Sequence, residues 1–298
     1  MKFKASLWVF LLSFLVLMPL RIFLCLSSID QETGFYLREH PLGLIFNIIW
    51  LVVVLALAIL PHIGREDSRH PVPAGNKLTG ALGLLLGFLM IVDNVSSGFG
   101  DMGGYLGTPG NMQALLSAAA GILGFISGLA LIFYGMMTLF DRPVTGMVAP
   151  LMMLPAVWCV LRLMYYFLSF TNIVTISNRL LLIVFLAVAA MFFLGHARVV
   201  TKVGSGRGLK GAVAYGFGMG LTGLIYTVSR IIASLVGRDG AYDPFSMENL
   251  LFFALALYGA VFALSLVQQY YRSLSSRSRQ RTQAPRDWDG VEEMDDLL

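Results

Sequence analysis

The chain has 298 residues, 57% of them apolar and only 13% charged, with a mean hydropathy of +0.76. Soluble domains carry roughly 45–50% apolar and about 25% charged residues, so the long apolar segments here take lipid as their solvent. The formal charge of +4 does not mark a nucleic-acid binder, because the basic residues are divided among short loops and a tail and form no single patch.

Apolar windows of about 17–25 residues are the signal of a spanning helix. Eight are predicted, at 6–27, 42–61, 78–97, 112–138, 146–169, 179–197, 212–236 and 248–269. Glycine blurs the ends of the fourth and seventh, and seven spans result if one of these is re-entrant. The fold class is therefore all-α, a polytopic membrane helical bundle. It forms one transmembrane domain over 1–270, followed by a disordered cytoplasmic tail over 271–298.

The first run opens like a secretory signal, with Lys2 and Lys4 ahead of an apolar stretch. It is longer than a signal core and has no convincing small-x-small cleavage site, so it reads as a retained helix. With the N-terminus inside, the cytoplasmic loops and tail collect fifteen Lys and Arg residues against two outside, Arg38 and Arg238. That bias places both termini in the cytoplasm, and the plasma membrane is the expected location.

The first external loop carries Asp30, Glu32 and Glu39. The second, 96–111, is dense in glycine and reads as a flexible surface loop, with a solute-facing lid as the alternative. Within the spans, Gly80, Gly83 and Gly87, then Gly121, Gly124 and Gly128, then Gly216, Gly220 and Gly223 recur at three- and four-residue spacing. Such faces let helix backbones approach closely. The segment Val203–Gly211, VGSGRGLKG, follows a span rather than a strand and lacks Walker spacing, so it reads as a basic, flexible cytoplasmic loop and not a nucleotide site. In the tail, five arginines precede six acids; the basic part suits an anionic leaflet, and a protein partner through the tail is a further reading. Cys25 and Cys159 read as small buried hydrophobes.

The halves 1–142 and 143–270 show faint similarity in parallel order. Arg21 after Leu20 matches Arg162 after Leu161, Asn47 matches Asn178, LPHIGR at 60–65 matches LGHAR at 194–198, and Lys77 matches Lys210. A parallel 4+4 repeat would have its pseudo-axis along the membrane normal.

The expected topology also gives every intramembrane charge a depth. Arg21, Arg162, Arg230 and Asp93 come late in inside-to-outside spans, and Arg179 and Glu248 early in outside-to-inside spans, so all six fall in or near the outer half. A guanidinium in hydrocarbon costs about 3 to more than 10 kcal/mol unless water or a partner answers it. On the fifth span Trp158, Arg162, Tyr165 and Tyr166 share a face, and Asp93 and Asn94 of the third are candidate partners. These ten residues, Arg162, Asp93, Arg230, Asn94, Trp158, Tyr165, Tyr166, Arg21, Arg179 and Glu248, are expected to line a polar, net-positive outer cavity. Arginine's rigid fork suits a carboxylate or phosphate; the alternative is a set of interhelical ion pairs.

No His-x-x-x-His pair, metalloprotease motif or nucleophile elbow is present, so no metal and no cofactor are expected. A Ser96/His40/Asp30 set can be drawn but has little support. Three functional readings follow. The preferred one is a transporter or permease component for an anionic or amphipathic solute, with membrane lipids as partners and a small anion or lipid headgroup as ligand. The others are a non-catalytic accessory protein and a membrane enzyme acting on a lipid phosphate.

Overall fold

The computed structural model describes residues 2–28, 41–63, 76–107, 112–142, 144, 148–168, 176–203, 205–237 and 243–283. Among these the chain is all helix and turn. The α-helices are α1 (Lys2–Ser27), α2 (Pro41–Ile59, extended by a 3-10 turn to His62), α3 (Lys77–Gly107), α4 (Met112–Leu139), α5 (Val148–Leu151), α6 (Leu154–Leu168), α7 (Ile176–Val200), α8 (Ser205–Leu235) and α9 (Met247–Gln283). Seven of them, all but α5 and α6, are long and apolar enough to cross a membrane. The chain is thus an integral, multi-spanning helical membrane protein.

The fifth expected span, 146–169, is the one that differs in form. It arrives as the four-residue α5 and the fifteen-residue α6. Pro150 and Pro155 are the cause, because each lacks the N–H that would continue an α-helix. Between them the chain turns on tighter bonds, Met153 N–H to Pro150 O at 3.1 Å and Ala156 N–H to Met153 O at 3.1 Å. Pro155 then sits in the first turn of α6, where a missing donor costs nothing.

Two segments read as flexible loops are helical. α3 continues through the glycine-rich stretch to Gly107, since each glycine costs only about 1 kcal/mol relative to alanine once a helix is under way. α8 begins at Ser205, inside the expected basic loop, and its glycines serve close packing. A Cβ on Gly208 would lie 2.8 Å from Arg198 Cβ, and one on Gly195 of α7 would lie 2.6 Å from Ala212 N. α9 also runs past 271 to Gln283. The first external loop with Asp30, Glu32 and His40, the connector 64–75 and the acidic end of the tail lie outside the described residues.

Helix α8 is the axis of the bundle and packs on α1, α2, α7 and α9, while α3 packs on α4 and α9 and α6 bridges α4 and α7. Of the most apolar window of α8, 78% is buried, against 28% for α2, so α2 is peripheral. The peripheral helices turn large apolar side chains outward, among them Trp8, Leu15, Leu44 and Val52; in water these would be a liability, and in lipid they are solvated. The α3–α4 crossing is made by glycine, with a Cβ on Gly87 placed 2.6 Å from Gly128 O and one on Gly135 2.6 Å from Gly80 O. α4 closes in a Schellman motif in which Arg142 N–H reaches Met137 O at 2.8 Å and Asp141 takes a left-handed φ of 53°. Lys77 then pairs with Asp141 at 3.6 Å, and Phe3 meets Tyr270 edge-on at 5.2 Å. These contacts align the starts of α1 and α3 with the ends of α9 and α4 at one end of the bundle.

Candidate functional site

Away from that end, three helices converge on one guanidinium. α6 carries Trp158, Arg162 and Tyr166 at four-residue spacing, one face of a helix. α3 supplies Asp93 and Asn94, and α9 supplies Glu248 from its first turn, where the helix dipole favours an acid. Arg162 Nη2 donates to Asp93 Oδ2 at 3.1 Å and to Glu248 Oε1 at 3.4 Å. The Arg162 and Asp93 side chains are 6% and 4% exposed, whereas that of Glu248 is 42% exposed.

The supports of this group are themselves ordered. Asn94 Nδ2 donates to Met90 O at 2.7 Å, which turns its Oδ1 to accept from Trp158 Nε1 at 2.9 Å. The Arg162 guanidinium carbon lies 5.9 Å from the centre of the Trp158 ring and 5.6 Å from that of Tyr166, and Tyr165 packs edge-on against Tyr166 at 5.4 Å. Among the described residues, two buried donors in this group find no hydrogen-bond partner: Arg162 Nε and the Tyr166 hydroxyl.

The remaining sequence candidates take other partners. Arg21 of α1 is fully buried, donates through Nη2 to Asn178 Oδ1 of α7 and stacks over Phe46 of α2 at 5.3 Å. Arg230 of α8 donates to Tyr226 Oη of its own helix at 3.0 Å and lies 5.6 Å from that ring. Arg179 is half-buried in the first turn of α7. Arg162, Asp93, Asn94, Trp158, Tyr165, Tyr166 and Glu248 therefore gather at one place, where Arg162 reaches both Asp93 and Glu248.

Gly124 of α4 is a member that sequence reasoning placed only on a packing face. A Cβ built on it would overlap the Asn94 side-chain amide, so the missing side chain holds room for the group that positions Trp158. Gly124→Ala is expected to turn Asn94 away, break its bond to Trp158 and cost about 1–3 kcal/mol, despite alanine's better helix propensity. Wild-type stability together with an unshifted Trp158 fluorescence would reject this.

A second buried polar group centres on a histidine that no metal or catalytic motif marks in the sequence. His196 of α7 is fully buried and meets the Tyr258 hydroxyl of α9 through Nε2 at 2.8 Å. The rings of Tyr134 at 5.0 Å and Phe262 at 4.6 Å pack on it, and the Tyr134 hydroxyl shares hydrogen bonds with Tyr258, Thr138 and Thr79. This network ties α3, α4, α7 and α9 together nearer the end that holds Lys77. Among the described residues no group of three His, Cys, Asp or Glu side chains could hold a metal ion.

No protein-family model, curated protein or solved structure significantly matches the chain.

Proposed function

We propose that the chain is a transporter or permease component for an anionic or amphipathic solute, with Arg162 as the group that recognises the anion. What supports the reading is one observation: Arg162 is held at a junction of α3, α6 and α9 with its Nε, and the hydroxyl of Tyr166 one turn on, buried and without a hydrogen-bond partner among the described residues. Unsatisfied buried donors are rare and costly, and a guanidinium N–H is one that an oxyanion would complete. Glu248, half-exposed, is the replaceable partner; Asp93, closed in, is the fixed one. In this reading the site lies in the outer half of the membrane with both termini on the cytoplasmic side.

Arg162→Leu tests it. The protein is expected to reach the membrane at normal abundance and to lose at least tenfold in affinity for oxyanions, read as binding of sodium benzoate and inorganic phosphate to the purified protein in nanodiscs. Tenfold corresponds to about 1.4 kcal/mol, a modest demand on a charge-assisted contact. Loss of folded protein in place of lost binding would favour a purely structural arginine.

We further propose that the bundle is a parallel 4+4 duplication. Gly83 and Gly87 stand 133 positions before Gly216 and Gly220, the offset of Lys77 and Lys210, and both pairs lie where a helix packs closely on its successor, α3 on α4 and α8 on α9. The first helix of each half, α1 and α6, carries the matched arginine and packs on the opposite half, α1 on α8 and α6 on α4. An experimental structure in which α2 and α7 fail to overlay once α3 and α8 are superposed would refute the duplication.

A further inference from the structure

At the end of the bundle where α1 starts and α9 leaves, helix register brings cations from four helices to one level. Phe3 meets Tyr270 edge-on at 5.2 Å, and Lys4 Nζ lies 4.9 Å from the centre of the Tyr271 ring. α1 runs parallel to α8 with Phe10 stacked on Phe217 at 5.0 Å, which sets Lys4 level with Gly211, beside Lys210. α8 runs antiparallel to α9, with Gly216 against Ala263 and Gly220 against Ala260, which sets Arg207 level with Arg272. On α7, Arg198 adjoins Gly208. Lys4, Arg198, Arg207 and Arg272 are exposed, and Lys210 is half-buried. α1, α7 and α8 contain no Asp or Glu anywhere in their length, and the one acid of α9, Glu248, stands in its first turn at the opposite end.

Further along α1 the outward surface changes character. Lys4, Trp8, Leu12 and Leu15 follow one another at three- and four-residue spacing on one face, and Trp8, Leu12 and Leu15 are 62%, 57% and 71% exposed. A cation, then a tryptophan, then leucines match a phospholipid read from phosphate to acyl chain. An acidic peptide in water would use the charges and leave the leucines uncovered. We infer that an anionic phospholipid lies along this stripe of α1, its phosphate at the level of Lys4, Arg207 and Arg272 and its acyl chain against Trp8, Leu12 and Leu15. The contact is separate from the anion role proposed for Arg162, and it belongs to the helix ends and not to the tail. Arg277 and Arg281 stand about 8 Å and about 14 Å beyond Arg272 along α9, at or past the far side of a headgroup layer about 5–8 Å deep.

Trp8 reports on its own neighbour. Trp288→Phe removes the tail tryptophan to give the parent chain, and Trp50 and Trp158, closed inside the bundle, are shielded from lipid. In nanodiscs of mixed phosphatidylcholine and phosphatidylglycerol, one lipid or the other carries brominated acyl chains, which quench tryptophan on contact. Corrected for mole fraction, phosphatidylglycerol is expected to be favoured beside Trp8 by about fivefold, the factor that one cation near an anionic surface supplies. Lys4→Gln/Arg207→Gln/Arg272→Gln is expected to abolish the preference. Lys4→Gln alone, at an exposed position where substitution moves stability little, is expected to lower it by about twofold. Arg277→Gln/Arg279→Gln/Arg281→Gln should leave it unchanged, and Trp8→Phe should remove the quenchable signal. Equal quenching by the two lipids in the parent, or a preference that survives the Lys4/Arg207/Arg272 variant, overturns the site. A preference lost in the Arg277/Arg279/Arg281 variant places the contact on the tail and overturns it as well. Equal quenching that becomes a preference once Asp287, Asp289, Glu292, Glu293, Asp295 and Asp296 are replaced by their amides would make the chain's own acidic segment the occupant, and that too overturns the lipid.

Discussion

Asp93→Leu is expected to destabilise the protein by about 3 kcal/mol, whereas Arg162→Leu, which breaks the same ion pair from the other side, is expected to cost much less. The asymmetry comes from what each partner can do alone. A carboxylate left without its arginine sheds its charge by taking a proton, but a guanidinium stays charged at any pH the protein experiences. Removing one partner of a buried pair costs about 3–5 kcal/mol because the survivor is an uncompensated charge. The lower end applies to Asp93→Leu because Glu248 still reaches Arg162 Nη2 at 3.4 Å. The double variant Asp93→Leu/Arg162→Leu should regain most of the loss, since a leucine pair fills the space with no charge to solvate. Unfolding free energies in mixed micelles for the two single variants and the double one check the point. A double variant whose cost equals the sum of the singles would show that the two side chains do not act as a pair.

Much of the bundle is readable from apolar windows, because a membrane helix must satisfy its own backbone and face lipid at once. Where the windows fall short, the reason is local. Hydropathy gives Pro150 and Pro155 no credit for the N–H they lack, so the fifth span reads as continuous when it is α5 and α6. Windows also report solvent and not backbone: α3 continues to Gly107 and α9 to Gln283, beyond the stretch that hydropathy marks, since leaving hydrocarbon does not end a helix. At the candidate site, Arg162 and Asp93 were within reach of sequence reasoning because an intramembrane charge demands a partner. Rotation about the helix axis is not encoded that way. It sends Arg21 to Asn178 and Arg230 to Tyr226, and brings Gly124 against Asn94. The His196–Tyr258 contact at 2.8 Å was hidden for the same reason: α7 and α9 are far apart in the chain, and neither residue belongs to a motif.

Gly87→Leu is expected to cost more than about 3 kcal/mol, above the usual 1–3 kcal/mol for overpacking, because the obstacle is backbone. A Cβ there would lie 2.6 Å from Gly128 O and 2.9 Å from Ile132 N, and neither atom can move without separating α3 from α4. In lipid no hydrophobic drive holds the helices together once the close contact is gone. The displacement would also reach the candidate site, since Gly124 and Gly128 lie one turn apart on α4 and Asn94 fills the space beside Gly124. Loss of the anion binding proposed for Arg162 should therefore accompany the loss of stability. Gly220→Leu on α8 gives a related but distinguishable result. The Cβ contact there, 2.6 Å, is to Ala260 Cβ, with the Ala260 backbone at 3.1 Å and beyond. Its cost should be similar in kind and somewhat smaller, because the nearest obstacle is a side-chain carbon and not backbone. Gly237, at a φ of 76° with nothing among the described residues within 4 Å of its absent Cβ, is the control: a substitution there strains the turn after α8 and leaves both crossings alone. Apparent melting temperatures of the three variants in one lipid composition, set beside their Trp158 emission, decide between a crossing that needs glycine and one that merely contains it. Gly87→Leu melting with Gly237→Leu would remove the close crossing from the account of how the site is held.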